Sequence, residues 1–154
     1  MTVRLATPGD IPAIQTLEKE ADTAAHWSDD IYRSIFAAAA IERVLLVADH
    51  NGSISGFIVA RVVSHEWEIE NVVVATTRRR RGVASALMQN LVERARAKFA
   101  HQIMLEVRES NISARSLYAK HGFVECGGRE RYYQDPAEDA VCYRLELSSK
   151  FPQP

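Results

Sequence analysis

The chain has 154 residues, of which 47% are hydrophobic and 25% charged, with a formal net charge of -1. That length and mix suit one domain with its own core, and the near-neutral charge argues against a general nucleic-acid binder. Two cysteines, Cys126 and Cys142, are too few for a disulfide scaffold, and no Cys or His spacing matches a metal site.

The opening Met1-Thr2-Val3-Arg4-Leu5 lacks the apolar stretch of a signal peptide. No uncharged apolar run is long enough to span a bilayer, so a cytoplasmic location with no membrane partner is expected. Residues 3–6 read as a strand, and Thr7-Pro8-Gly9-Asp10 as a turn with Asp10 a candidate helix cap. Ile11, Ile14, Leu17, Glu18 and Ala21 then fall on one side of a helix. His26-Trp27-Ser28 breaks it, and Ser28 is placed to cap a second helix carrying Ile31, Ile35 and Phe36, which residues 37–40 either extend or leave frayed.

Residues 44–48, 54–63 and 67–74 read as three strands. Asn51-Gly52 is a hairpin signal between the first two, and short turns throughout imply an antiparallel meander. Residues 82–99 form a long amphipathic helix with Val83, Leu87, Leu91, Val92 and Ala95 near one face. Residues 103–107 are a short apolar strand, and 113–121 a helix ended by Gly122. Residues 123–126 and 140–147 complete the sheet. The passage from Trp67 to Val107 is a parallel crossover, and the remainder is antiparallel. The expected class is α+β: a mixed, mostly antiparallel seven-stranded sheet with about four helices in one domain over residues 1–150, and a loose tail at 151–154.

The most informative stretch runs from Val72 through Arg78-Arg79-Arg80-Arg81-Gly82 to Ser85. A strand ends, a short loop follows, and a helix opens at a glycine. Amides at a helix head, with the positive end of the dipole, form a phosphate site. Four arginines oppose that dipole, which favours a bound anion over an ordinary charged loop. The Walker Lys-Ser/Thr pair and the three-glycine dinucleotide fingerprint are both missing.

The pattern Arg79-x-x-Gly82-x-Ala84 after a strand resembles the pyrophosphate motif of the GNAT acetyltransferase superfamily, and the element order resembles its fold. The resemblance implies acetyl-coenzyme A as co-substrate, with no metal, bound where the sheet splays. The backbone of Val72, Val73 and Val74 would line its pantetheine arm, and the amides of Arg80, Arg81, Gly82, Val83, Ala84 and Ser85 its phosphates. A second segment, Leu105-Glu106-Val107-Arg108-Glu109-Ser110-Asn111, then Leu117-Tyr118 and His121-Gly122-Phe123, resembles the RimI-type branch, which acetylates the N-terminal α-amine of a ribosomal protein.

On the residues alone, Glu106 reads equally as a base or as a solvated strand residue beside Arg108, and Tyr118 as a core tyrosine bonded to backbone. Asn111 reads as a helix cap. The resemblance implies Glu106 as general base, Tyr118 as general acid, Asn111 as a coenzyme contact as well, and a backbone amide near Val73 or Val74 for the carbonyl. Glu66, Glu68 and Glu70 alternate on one solvated face; Glu68 or Glu70 could assist the base or attract a cationic substrate. Trp27, Glu70 and Tyr132 are the candidate acceptor contacts, with Tyr133 beside them and core packing as the competing reading for the aromatics. The expected acceptor is a protein N-terminus, with a small amine, a lysine, or coenzyme binding without catalysis as alternatives. The resemblance also implies a monomer or a homodimer.

Overall fold

The computed structural model describes residues 1–21, 26–37, 41–134 and 136–147. The expected loose tail, and the fate of residues 38–40, lie outside them. Seven strands form one sheet in the order β1-β2-β3-β4-β5-β7-β6. They are β1 (Thr2–Leu5), β2 (Glu42–His50), β3 (Ser53–Val63), β4 (Glu66–Val74), β5 (Gln102–Arg108), β6 (Val124–Tyr133) and β7 (Glu138–Glu146). The helices are α1 (Ile11–Glu20), α2 (Asp29–Ile35), α3 (Val83–Ala97) and α4 (Ile112–Lys120).

β1 to β4 pair antiparallel in sequence order. Asn51 (φ 52°) and Gly52 (φ 95°) both take the left-handed conformation that their hairpin requires. β4 and β5 pair parallel across α3, as a crossover helix demands. β7 inserts between β5 and β6, antiparallel to both.

The sheet is covered on both faces, so its central strands read as unbroken apolar runs. On one face Leu46, Ile58, Trp67, Ile69, Ile103 and Leu105 pack with Val83, Leu87, Met88, Leu91 and Ala95 of α3. Leu87, Met88 and Leu91 are fully buried, each worth about 1.5–3 kcal/mol. Tyr118 and Phe123 extend this cluster. On the other face Leu45, Val47, Phe57, Val59 and Val73 pack with Ile14, Leu17, Ala21 and Tyr32. Gly56 lets α3 settle onto the sheet, since a Cβ there would lie 2.8 Å from the Val73 carbonyl oxygen and 3.1 Å from Val83 Cγ1.

Two sequence expectations change. Asp10 does not cap α1 with its side chain. Its carboxylate accepts the Thr7 N–H at 2.7 Å and the Arg4 guanidinium at 2.8 and 3.0 Å, tying the end of β1 to the turn that follows. And β6 does not end at Cys126 but continues to Tyr133, with register shifts between Glu125 and Gly127 and between Arg129 and Tyr133.

The sheet opens at one point. The β4–β5 ladder stops at Ile69 opposite Leu105, although β4 continues to Val74 and β5 to Arg108. A bulge in β4 marks the place: Val59 faces Asn71 and Ala60 faces Ile69, so Glu70 is the extra residue. Beyond it the two strands part.

Candidate active site

The parted strands, the head of α3 and the start of α4 enclose a cleft of about 690 Å³. Its walls include Val72, Val73 and Val74 on one side and Glu106, Val107, Arg108, Asn111 and Tyr118 on the other. Arg78, Arg79, Arg80, Gly82, Val83 and Ala84 close one end. Arg81 and Ser85 are not among these lining residues; the Ser85 hydroxyl instead lies 3.1 Å from His121 Nε2, joining the head of α3 to the end of α4.

Backbone direction in the gap follows from the β3 ladder. Phe57 opposes Val73, and the Ala75 N–H donates to the Ser55 carbonyl at 2.8 Å. Strand groups alternate sides, so the N–H and C=O of Val72 and Val74 point into the gap. At the head of α3, the N-cap residue Gly82 sits at φ 78° and has no side chain with which to cap the helix. The first intrahelical donor is Ala86, bonded to the Gly82 carbonyl at 3.0 Å, which leaves the amides before it without helical acceptors. Arg80 is also left-handed, at φ 63°. None of Arg78, Arg79, Arg80 and Arg81 forms an ion pair among the described residues. A bare helix head, a glycine with open space where a Cβ would be, and unpaired guanidinium groups fit a diphosphate.

A second cleft of about 410 Å³ adjoins the first and is lined by Trp27, Arg61, Glu68, Glu70, Glu106, Arg129, Tyr132 and Tyr133. Ile69, Glu70, Glu106 and Tyr133 belong to both walls. Glu106 therefore stands at the junction. Its Oε1 lies 3.0 Å from Arg129 Nε, while its Oε2 is buried with no hydrogen-bond partner among the described residues.

Tyr118 is 7% exposed and packs against the Phe123 and Tyr143 rings. Its hydroxyl makes no hydrogen bond among the described residues, unlike the backbone-bonded core tyrosine the sequence alone suggests. Burial pushes its phenol well above the ordinary range, with a smaller contribution from Tyr133. Asn111 caps α4, its Oδ1 accepting the Ala114 N–H at 3.2 Å, and also lines the first cleft.

The three candidate acceptor contacts, Trp27, Glu70 and Tyr132, all line the second cleft. Glu70 is held by Arg43 at 2.7 Å, so its charge is already met. The residue at the junction is Tyr133 rather than Tyr132, which is 49% exposed. Tyr133 lies under the Arg108 guanidinium, 4.6 Å from the ring centre, and burial first, then Glu106, pushes its phenol up to about 12. Arg108 also donates to the carbonyls of Gln134 and Pro136, pinning the β6–β7 turn. Sequence reasoning also missed Arg129, whose place opposite Glu106 depends on the extended β6.

Residues 11–123 match the model of the Acetyltransferase (GNAT) family. The chain is 33% identical over 142 residues to the ribosomal protein bS18-alanine N-acetyltransferase of Escherichia coli (strain K12), covering 90% of this chain and 93% of that one. It is 32% identical over 122 residues to an N-alpha-acetyltransferase of Sulfurisphaera tokodaii, covering 69% and 71%. The crystal structure of the ribosomal-protein-S18-alanine N-acetyltransferase from Escherichia coli superimposes with a TM-score of 0.82 at 30% identity, covering 96% of this chain and 94% of that one.

Proposed function

From the premise that this chain belongs to the GNAT acetyltransferase family and is an acetyl-CoA-dependent N-acetyltransferase, we propose that its acceptor is the N-terminal α-amine of a protein. Both relatives named above act on such amines by their names, the bacterial one on a ribosomal protein. An acceptor of that kind also implies a cytoplasmic location. The second cleft is open along an aromatic-edged wall, which suits a chain end entering lengthwise.

The observation that carries the reading is the orphaned Glu106 Oε2 at the meeting of the two clefts. A buried carboxylate oxygen without a donor calls for one, and an incoming ammonium, or a water next to it, supplies it. The bound co-substrate supplies an acetyl thioester whose carbonyl carbon accepts the amine lone pair. Glu106 takes the amine's proton, directly or through water. Tyr118, kept protonated by its burial, holds a proton for the departing sulfur. The Val74 N–H, directed into the gap, is the donor for the acetyl oxygen. Arg79, Arg80 and the amides of Gly82, Val83 and Ala84 hold the diphosphate, Val72, Val73 and Val74 line the arm leading from it, and Asn111 positions the co-substrate from the far wall.

Charge speaks against a polycationic small molecule. Each carboxylate of the second cleft has its own arginine: Glu68 with Arg61 at 3.3 Å, Glu70 with Arg43 at 2.7 Å, and Glu106 with Arg129 at 3.0 Å. An α-amine also asks less of the base than lysine, with reference pKa values of about 8 and about 10.4. Mass spectrometry of a panel of N-terminal peptides, lysine peptides and free polyamines tests the proposal. Acetyl gain at α-amines supports it; gain only on polyamines or lysine side chains rejects it.

A further inference from the structure

Glu18 lies on the apolar face of α1, and the residue is only 3% exposed. No arginine or lysine pairs with it among the described residues; the His26 Nδ1 lies 3.8 Å from Oε1, on a side chain that is 55% exposed. A buried carboxylate without a strong counter-charge is costly unless its oxygens are hydrogen-bonded. Both are: Oε1 accepts the backbone N–H of Trp27 at 2.8 Å, and Oε2 accepts the Tyr32 hydroxyl. One side chain on α1 thus fixes both the segment before α2 and α2 itself.

What Glu18 holds is a wall of the second cleft. Trp27 packs on Tyr32, with ring centres 5.7 Å apart, and lies under the Arg43 guanidinium at 4.9 Å. Arg43 in turn grips Glu70, the extra residue of the β4 bulge, beside the junction. An unbroken series of contacts therefore runs from Glu18 through Trp27 and Arg43 to the acceptor side of the active site. It meets the first cleft only at Glu70, on the wall the two clefts share, and does not pass through the head of α3.

We infer that Glu18 is a positioning residue for acceptor binding: its carboxylate sets Trp27 against Arg43 and so shapes the acceptor cleft, at a distance from the helix head that receives the diphosphate. The inference rests on the reading that the second cleft receives the amine. Glu18→Ala leaves two donors without acceptors, and its expected effect is a rise of about tenfold in the KM for an N-terminal peptide. The Kd for acetyl-CoA, measured by calorimetry, stays within about twofold of the parent, because the head of α3 is untouched. Glu18→Gln keeps an acceptor for the Trp27 N–H and returns the peptide KM to within about threefold. Trp27→Ala in the Glu18→Ala background adds little further, since both changes remove the same wall.

An unchanged peptide KM in folded Glu18→Ala, or equal loss of peptide and acetyl-CoA affinity, overturns the inference. Should Glu18→Ala fail to fold, Tyr32→Phe removes a single hydroxyl and must show the same selective rise in peptide KM; a flat result there also overturns it. If the unmodified enzyme acetylates a free amine and no peptide, the acceptor proposal fails, and the Glu18 inference is judged on the KM for that amine.

Discussion

Replacing Glu106 by glutamine separates the chemistry from the fold because the two effects differ greatly in size. The substitution preserves volume and removes one charge. The pair it breaks is with Arg129, whose side chain is 60% exposed, so the interaction is of the screened kind worth about 0.2–1 kcal/mol. The melting temperature is expected to fall by no more than about 2–4 °C. Loss of a positioned base costs about 10²- to 10⁴-fold in rate, or about 2.7–5.4 kcal/mol of barrier. The acceptor refines this further. An α-amine of pKa about 7.7–8 is neutral in roughly one molecule in six to ten at pH 7 and in more than about nine in ten at pH 9. The deficit of Glu106→Gln should therefore narrow by about six- to tenfold over that interval, as solvent removes the proton the carboxylate no longer takes. Thiol release from acetyl-CoA with an N-terminal peptide gives the rates, and calorimetry the co-substrate affinity. Turnover within about threefold of the parent at pH 7 refutes the base assignment, as does loss of acetyl-CoA binding in step with turnover.

Tyr118→Phe should lower kcat by about a hundredfold with a melting temperature close to the parent's, because the hydroxyl it removes has no hydrogen-bond partner among the described residues; an unaltered kcat would assign that proton to another group. Gly82→Ala places a side chain at φ 78° and should raise the acetyl-CoA Kd while costing about 1 kcal/mol of stability; unchanged affinity in calorimetry would move the phosphates elsewhere. Gly56→Ala drives a methyl against the Val73 carbonyl oxygen and should cost about 1–3 kcal/mol in urea unfolding, with no loss meaning that α3 is free to shift. Hydrogen bonds from Arg4, more than any other cause, hold the Asp10 carboxyl below its ordinary range. A depressed carboxyl stabilises the fold above its unfolded pKa of about 3.9, and that stabilisation is lost as pH falls through the lower folded value. Unfolding free energies should thus fall more steeply with acid in the parent than in Asp10→Asn, and parallel slopes would contradict the assignment.

Much of this was legible because it is written in local chemistry. The meander shows in its Asn51-Gly52 turn, α3 in its apolar spacing, and the candidate anion site in a glycine at the helix head beside four arginines. Even Glu18 shows itself, as the one acid among the apolar positions of α1. What escaped depends on pairing between distant residues. β6 carries Gly127, Gly128 and a charged run against strand propensity, and its pairing with β7 overrides them. Without that extension neither Arg129 opposite Glu106 nor the choice of Tyr133 over Tyr132 can be read, because a register shift decides which tyrosine turns inward. Asp10 stands at the N-cap position of α1, but its carboxylate turns away from the helix for the same reason: its partner, Arg4, lies across a turn.

The outermost strand has a consequence for how these molecules meet one another. β6 has only β7 beside it, and every residue but Tyr133 is exposed. An open edge of ten residues invites a neighbouring chain to add its own strand. Two register shifts, a pair of glycines and the charges of Glu125, Arg129, Glu130 and Arg131 interrupt that template. Smoothing the strand with β-branched residues would make a surface prone to self-association, at the very place that turns Tyr133 and Arg129 toward the acceptor.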